Sequence, residues 1–484
     1  MQESHRIIII GAGISGLSTA YALAQAGLDV LVLEGSSRVG GCIWTEQTPE
    51  GYLIEHGPNS LLNLSSEVDR LCQELQVESE RVFQEPISRR RYVVKDRRLI
   101  PVPSRPLQFP MTPLLSIKGK LRALAEPFVP SRGRSDIDES VADFIRRRFG
   151  SGILDYAVEP FVAGIFAGDP ECLSMGSNFP WIASLEQTYG SVVSGLIRTR
   201  WVRRKPASPI RVFSFRGGVR RLPEALSRAL GARVRTSVRV EAVRSELRDG
   251  IARFIVDAEV DGASQQMTAD RIVLATPADV AGRLVAPLST SLADHLDQIP
   301  YAPVGLVHVG IRRDAVSRFP EGAGCLIPKR EGLPILGSLW SSNVYPDRAP
   351  NGRILLTNYL GGVRNSDVLK WRDEDLTRLV LHALEDLIGL EGPPEFVRVL
   401  RHPRAIPQYL LGHGERVQAI ERLTRQVPGI YLAGNYLRGV SVRDCLTQGM
   451  TLAKRIIEET NADMGISSVS QASSRQVPTS QYSS

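Results

Sequence analysis

The stretch IIIIGAGISG, residues 7–16, stands almost at the start of the chain and constrains its fold more than any other segment. Four consecutive isoleucines read as a strand buried on both faces. The GxGxxG spacing that follows, on Gly11, Gly13 and Gly16, supplies a tight turn, a point where backbone can approach a pyrophosphate, and a close helix–strand contact. The helix N-terminus then faces the phosphates. Ala12, Ile14 and Ser15 complete the loop, and the pattern runs on to Ala20 and Gly27. Residues 6–34 therefore read as strand, glycine turn, helix and strand, the order that builds a parallel sheet. Glu34 ends the second strand 18 residues beyond Gly16, where a carboxylate can bind both hydroxyls of a ribose. Its charge opposes a 2′-phosphate, which leaves NAD or FAD.

With 484 residues, 43% of them hydrophobic, the chain can hold two or three domains. The 59 Lys and Arg against 52 Asp and Glu leave a net charge of +7. That excess favours an acidic ligand or an anionic membrane surface and requires neither. No nucleic-acid partner is expected. Cys42, Cys72, Cys172, Cys325 and Cys445 never form a CxxC pair, so neither a disulfide framework nor a zinc site is indicated, no metal is expected, and a reducing cytosol is the default. Residues 7–27 carry no charge, but their glycines and small polar residues suit a strand, turn and helix better than a membrane span.

A second core signal comes late. RIVLATPADV (271–280) is an apolar strand ending in a turn, GIYLAGN (429–435) is another, and a helix-like run follows over 441–459. The nucleotide-binding domain is therefore expected to be discontinuous. Residues 113–200 read as helical, with DESVADFIRRRFG carrying an N-terminal acid and a C-terminal glycine. Residues 300–410 contain β-rich stretches such as VGLVHVGI and RILLTNYL. The last 18 residues include eight serines and read as a disordered tail.

EGSSRVGG, residues 34–41, resembles the FAD fingerprint of the monoamine oxidase and phytoene desaturase type, in which an arginine and a glycine pair extend the grip on the diphosphate. Gly35, Arg38, Gly40 and Gly41 occupy those positions and Cys42 follows; taken alone, Arg38 would read as a surface arginine. The resemblance implies resident FAD. Disulfide reductases share the first glycines but carry a redox cysteine pair soon after, which this chain lacks.

GPNS (57–60), GIFAGDP (164–170), LGSLWSSNVYPDRAP (336–350), IPQYLLGH (406–413) and GNYLRGVSVRDC (434–445) are similar, in order and across most of residues 6–455, to the oxygen-dependent protoporphyrinogen oxidase family. The resemblance implies oxidation of protoporphyrinogen IX to protoporphyrin IX in haem or chlorophyll synthesis, with electrons passing through FAD to dioxygen and hydrogen peroxide as by-product. It implies hydride acceptance at flavin N5 and no catalytic side chain. No Ser/His/Asp set, HExxH or cysteine pair argues otherwise, since a cofactor can carry the difficult step while the protein orients substrate and excludes water. The implied fold is α/β: a discontinuous Rossmann-like FAD-binding domain (1–90, 211–295 and 411–462), a helical membrane-associating domain through which substrate enters (91–210), a β-rich substrate-binding domain (296–410), and the tail (463–484).

In the family an arginine in a PRFV-like strand pairs with a substrate propionate, and that position falls on Arg91 in SRRRYVV, with Arg89 and Arg90 as alternatives. An arginine fork suits a carboxylate; the plainer reading is a solvated basic strand end. Leu326 in GCLIP and Tyr345 in NVYPDR align with the leucine and aromatic residue that sandwich pyrrole rings, although as bare sequence both read as core. Many relatives have Phe at the position of Tyr345, so a hydroxyl is added here. Gly164 and Gly168 flank IFA where a side chain would obstruct the macrocycle, and Asp169 is expected to cap the next segment. By the same resemblance Gly57, Pro58, Asn59 and Ser60 lie beside the flavin, Gly434, Asn435, Val440, Ser441 and Val442 cover its diphosphate and ring, and Val240 contacts adenine.

Three other readings stay open: oxidation of coproporphyrinogen III to coproporphyrin III, a flavin amine oxidase, and a non-catalytic FAD-binding assembly protein. The expected location is cytoplasmic, peripheral to the inner face of a bacterial cell membrane, because substrate and product are sparingly soluble macrocycles. Between Glu186 and Glu224 there is no acidic residue, while nine basic ones run from Arg198 through Arg221. Val192, Val193, Leu196, Ile197, Trp201 and Val202 are interleaved with them, and Arg203, Arg204 and Lys205 are their densest cluster. That mixture suits an interfacial segment on an anionic surface; the alternative is a solvated basic loop. The resemblance also leaves room for a homodimer and for a transient contact with ferrochelatase or another tetrapyrrole-pathway enzyme.

Overall fold

The Glu3–Ile10 strand brings four isoleucines to the centre of a parallel sheet, where Ile7, Ile8 and Ile9 have no solvent exposure. This is a computed structural model, and it describes residues 3–63, 66–132, 137–202, 211–248 and 251–463. Val30–Leu33 lies parallel on one side, with Ile7 opposite Val30, and Ala263–Leu274 lies parallel on the other, with Ile10 opposite Leu274. Val234–Arg235 extends the first side and Ile430–Leu432 pairs with Ala263–Leu274 on the second, both parallel. Parallel neighbours need long crossovers, so three distant stretches of chain meet in one sheet. Val238–Arg248 and Ile251–Val260 continue it as an antiparallel hairpin.

Alternation along the strands assigns the two faces. Ile7, Ile9, Val30 and Val32 pack with Leu17, Leu23, Leu446 and Ile456 of the Ile14–Gln25 and Val442–Asp463 helices. Ile8, Ile10, Leu31 and Leu33 pack instead with Ala281, Leu284, Leu292 and Leu296 of the Ala278–Val285 and Thr290–Asp297 helices. The two long helices touch at Gly449, where a Cβ would sit 2.2 Å from Ser18 Oγ. Thr19 Oγ1 donates across that contact to the Gly449 carbonyl (3.1 Å).

A second seven-stranded sheet runs in the order Phe396–Pro407, Tyr301–Arg312, Arg353–Gly361, Ile335–Leu339, Gly324–Leu326, Tyr92–Lys95, Arg98–Pro101. The two strands over 92–101 lie before the 113–200 stretch read as helical, although within the 91–210 domain that the resemblance implies to be helical; they close a tight hairpin and dock beside Gly324–Leu326. The β-rich stretch in turn contains a sixteen-residue helix, Asp373–Ile388, whose Leu376, Val380, Leu384 and Leu387 cover Val307, Val309 and Ile311.

The intervening helices include Ile117–Leu124, Val141–Phe149, Glu159–Phe166, Pro180–Tyr189 and Val192–Val202. Val141–Phe149 is capped by Ser140, whose Oγ accepts from the Asp143 amide (3.0 Å), rather than by an acid. Asp143 in its first turn and Arg146, Arg147 and Arg148 in its last complement the helix dipole. Arg148 and Glu126 form a fully buried pair, with Arg148 Nε donating to Glu126 Oε1 at 2.7 Å. No helix among the described residues is long and apolar enough to cross a membrane. The serine-rich tail beyond residue 463 and the Arg203, Arg204, Lys205 cluster lie outside the described residues.

Candidate active site

The glycine loop is shaped by close approach. Gly11 has φ +105°, and a Cβ there would sit 2.6 Å from the Ala275 carbonyl oxygen; one at Gly16 would sit 2.0 Å from the Gly11 oxygen. Gly13 differs, since its Cβ would meet nothing within 4 Å. It is also the N-cap of Ile14–Gln25 and offers no capping side chain, so the first amides of that helix, from Ile14, Ser15 and Gly16, have no side-chain partner at the cap. Gly40 (φ +104°) pairs with Gly13 and donates its amide to the Ala12 carbonyl (2.8 Å). Arg38 bonds the Gly41 carbonyl (2.9 Å), and its guanidinium lies 4.9 Å over the Trp44 ring.

Glu34 is half-buried at the end of Val30–Leu33. Its Oε2 accepts from the Ala12 amide (2.8 Å), and its Oε1 from the Ser36 amide (2.9 Å) and hydroxyl (2.8 Å). The same carboxylate therefore ties the glycine loop to the turn after the second strand. The Glu34 carbonyl accepts from the Val238 amide (2.9 Å), and a Cβ on Gly35 would touch Arg239 Cα at 3.9 Å. This brings half-buried Val240 to the same end of the sheet.

From the far end of the chain, Ala433 continues from Ile430–Leu432 by donating to the Leu274 carbonyl (2.9 Å). A Cβ on Gly434 would meet the Tyr436 ring at 2.5 Å, and the Asn435 carbonyl accepts from the Tyr409 hydroxyl. Val440 is half-buried, Ser441 accepts from the Asp444 amide (3.1 Å) at the start of the Val442–Asp463 helix, and Val442 is buried. Cys42 is exposed, and desolvation by the surrounding protein raises its thiol pKa. A Cβ on Gly57 would sit 2.2 Å from the Cys42 carbonyl oxygen, which brings GPNS beside Cys42. A helix end without a side-chain cap, an open Gly13 and a carboxylate at the strand end suit a dinucleotide with two phosphates and a ribose.

Asn59 Nδ2 donates to the Tyr359 hydroxyl (3.1 Å), and Ser60 donates to Asn59 Oδ1 (2.8 Å). Tyr359 is half-buried, and desolvation pushes its hydroxyl up to about 12. Strand alternation in RILLTNYL marks it as interior, but nothing in the sequence links it to Asn59, 300 residues away.

Gly164 and Leu326 meet: a Cβ on Gly164 would lie 2.5 Å from Leu326 Cδ2. Arg91 is exposed and has no ion pair. It immediately precedes Tyr92, which sits opposite Cys325, with Val93 opposite Leu326. Arg90 instead pairs with Glu321 at 3.5 Å, both well exposed, and exposed Arg89 ends a short 3-10 turn. Asp169 Oδ1 accepts from the Glu171 amide (2.9 Å) and also pairs with Arg364 (2.5 Å). A Cβ on Gly168 would meet Gln408 Oε1 at 2.7 Å.

Tyr345 does not share a cluster with Leu326. It is 2% exposed and packs with Ala323, Val344 and Leu339, while Leu326 packs with Val93, Leu114 and Tyr156. The Arg348 guanidinium lies 5.0 Å over the Tyr345 ring, and the hydroxyl has Ser60 alongside but closes no hydrogen bond. Burial raises its pKa. Glu55 and Arg348, absent from the residues picked out by sequence, are both buried in this region. A lone acid in the apolar run YLIEHGPNS was the available signal.

A surface hollow of about 1150 Å³ lies elsewhere, between the Asp373–Ile388 helix and Phe396–Val399. It is broad and open and holds none of these residues. Among the described residues no group of three or more His, Cys, Asp or Glu side chains could hold a metal.

The family model described as flavin containing amine oxidoreductase matches residues 14–457. The chain is 36% identical to the chloroplastic protoporphyrinogen oxidase of Oryza sativa subsp. japonica, over 93% of this chain and 87% of that protein. It is 28% identical to the coproporphyrinogen III oxidase of Bacillus subtilis (strain 168), over 92% and 96% respectively. One solved structure, from Exiguobacterium sp. 255-15, matches at a TM-score of 0.78 and 24% identity, over 95% of this chain and 100% of that one. At that identity the likeness speaks for the fold alone.

Proposed function

The chain belongs to the flavin-containing amine oxidoreductase family, and from that footing we propose that it oxidises protoporphyrinogen IX to protoporphyrin IX, with dioxygen as final electron acceptor and hydrogen peroxide as by-product. The observation that carries this reading is the 36% identity to a chloroplastic protoporphyrinogen oxidase across nearly the whole chain. Bound FAD would supply the two-electron acceptor for carbon–hydrogen oxidation. Glu34 holds the ribose hydroxyls, and the amides of Ile14, Ser15 and Gly16, with Arg38, face the diphosphate. Gly41, Gly57, Asn59, Asn435 and Ser441 enclose the rest, and Val240 abuts the adenine. The protein's work is to bind, orient and keep water out.

Arg91 grips a propionate by two parallel hydrogen bonds; it is exposed and immediately precedes Tyr92, whose strand pairs with Cys325 and Leu326. Gly164 leaves the Leu326 side chain room to form one wall, and Tyr345 supports the pocket from within the fold. The second reading, coproporphyrinogen III, has the Bacillus subtilis relative in its favour; that substrate carries two further propionates.

Peripheral attachment to an anionic membrane rests on a different footing from the basic run. Leu107, Met111, Ile117, Leu121, Leu124 and Phe128 are all exposed, Leu107 to 87% and Phe128 to 88%. Exposed Arg105 and Lys118 stand among them. Apolar side chains so placed, with cations at their margin, suit the headgroup boundary of the inner face of the cell membrane.

Anaerobic mixing of the FAD-loaded protein with protoporphyrinogen IX, coproporphyrinogen III or a primary amine tests the function. Faster bleaching of the flavin by protoporphyrinogen is expected. Bleaching only by coproporphyrinogen or by the amine would replace the reading, and no bleaching by any of them would end it.

A further inference from the structure

A small polar cavity lies beside Tyr345. Glu55, Asn59, Tyr345, Arg348, Thr357 and Tyr359 line it, and its volume is about 10 Å³, room for one water molecule. Glu55 is 7% exposed. Thr45 Oγ1 (2.6 Å), the Val219 amide (3.0 Å) and Arg348 Nη2 (3.5 Å) all donate to its carboxylate. Arg348 is itself divided, donating to Ser214 Oγ (2.7 Å) and Asp347 (2.8 Å) as well, so it neutralises Glu55 only in part. His308, on the adjoining strand, bonds Thr357 Oγ1 (3.0 Å), and burial lowers its pKa to about 3, so it adds no charge near neutral pH. Desolvation pushes Glu55 up to about 7, against the attraction of Arg348.

On the opposite wall Asn59 and Tyr359 are half-buried, so this side borders solvent-accessible space. The Tyr359 hydroxyl accepts from Asn59, which leaves its own proton free to donate, and the Tyr345 hydroxyl has no partner. A carboxylate that can change charge at neutral pH therefore shares a one-water cavity with two tyrosyl hydroxyls, of which that of Tyr359 is on the half-buried side. Burying a carboxylate is costly, and Glu55 is held there by three donors from distant segments.

We propose that Glu55 receives, by way of these hydroxyls and one water in the cavity, the proton that the substrate releases as it is oxidised. The inference rests on the porphyrinogen reading above. As a meso carbon gives up a hydrogen with its bonding pair, the macrocycle loses two electrons, which bound FAD would accept. In the same step a pyrrole N–H bond breaks, its electron pair completes a ring C=N bond, and the proton passes along the hydroxyls and the water to a Glu55 oxygen. Each hydroxyl gains one proton and passes one on, so the tyrosines are unchanged. One carboxylate becomes a carboxyl group, and its proton passes to bulk solvent on the half-buried Asn59 and Tyr359 side before the next round.

The test is anaerobic rapid mixing of the FAD-loaded holoenzyme with protoporphyrinogen IX from about pH 5.5 to 9, following flavin bleaching. The wild-type rate should rise as Glu55 ionises at about 7. Glu55→Gln should lose that rise and bleach at least ~10-fold more slowly at the alkaline end, with KM little changed, since general acid–base groups contribute about 100-fold or more. If Glu55→Gln leaves Arg348 unpaired and fails to retain FAD, the double variant Glu55→Gln/Arg348→Met removes both buried charges, and the same loss of pH dependence is expected. A folded variant that tracks the wild type across the pH range would overturn the relay while leaving the porphyrinogen reading intact. A wild-type flavin that porphyrinogen cannot bleach would overturn both.

Discussion

Replacing Glu34 with Ala separates what this carboxylate does for the protein from what it does for the nucleotide. In the fold it accepts three hydrogen bonds, from the Ala12 amide at 2.8 Å and from the Ser36 amide and hydroxyl at 2.9 and 2.8 Å. Its neighbourhood is half-buried, so water can replace part of what is lost, and the apo-protein should weaken by only about 1–2 kcal/mol. The ribose loses a charged acceptor, worth about 1.5–3 kcal/mol, which corresponds to a rise in FAD Kd of roughly 10- to 150-fold. Titrating the stripped apo-protein with FAD and following the quenching of flavin fluorescence gives the Kd; urea unfolding of the same apo-protein gives the stability. Ser36→Ala removes one bond to the same carboxylate and leaves the charge, so it should cost affinity less than about threefold. A Glu34→Ala Kd within twofold of wild type would refute the ribose assignment. So would a Ser36→Ala variant as weak as Glu34→Ala, because the effect would then belong to the turn.

Three further outcomes follow from the same geometry. Arg91→Ala should raise KM for the porphyrinogen more than it lowers kcat, since a propionate anchor far from the reacting carbon serves ground and transition states alike; a larger effect at Arg89 or Arg90 would shift the assigned register. In flotation with anionic vesicles, Leu121→Ser/Phe128→Ser should lower the bound fraction, with neutral vesicles binding less throughout; equal binding by both proteins would remove the 107–128 surface from the membrane reading. Burial takes His308 from 6.5 down to about 3, so its neutral form stabilises the fold above pH 6.5 and that contribution is lost as pH falls toward 3. The stability difference between wild type and His308→Asn, from urea midpoints, should therefore shrink by about 1.4 kcal/mol per pH unit across that window, and a pH-independent difference would show that His308 does not titrate with folding.

Nearest-neighbour chemistry made the nucleotide end of the molecule readable. A strand of four isoleucines, glycines whose φ or close approach excludes a Cβ, and a carboxylate at the next strand's end all lie within residues 7–41; Gly16, Glu34 and Gly40 act on atoms a few tens of residues away or closer, whereas Gly11 has a locally set φ of +105° but makes its close approach to distant Ala275. Apolar runs likewise marked the end of the Ala263–Leu274 strand, from Arg271 on, and the Ile430–Leu432 strand. The resemblance carried Gly164 and Leu326 to the same place, and they touch. SRRRYVV was legible as a strand only through the resemblance, and its partner was not, because the hairpin over 92–101 is held by 324–326, more than 200 residues later. Tyr345 was legible as an aromatic residue, but not as one buried beneath an arginine.

What the sequence by itself determined is therefore the local grammar of the sheet and its glycine loop, where backbone conformation and alternation are properties of consecutive residues. What only the tertiary structure decided is the charge environment. Glu55 and Arg348 stand 293 residues apart in the chain yet share one desolvated pocket. Leu107, Met111, Ile117, Leu121, Leu124 and Phe128 are apolar residues that the fold leaves uncovered rather than using as core. Burial is set by which distant surfaces close over a side chain, and no pattern of neighbours along the chain carries that information.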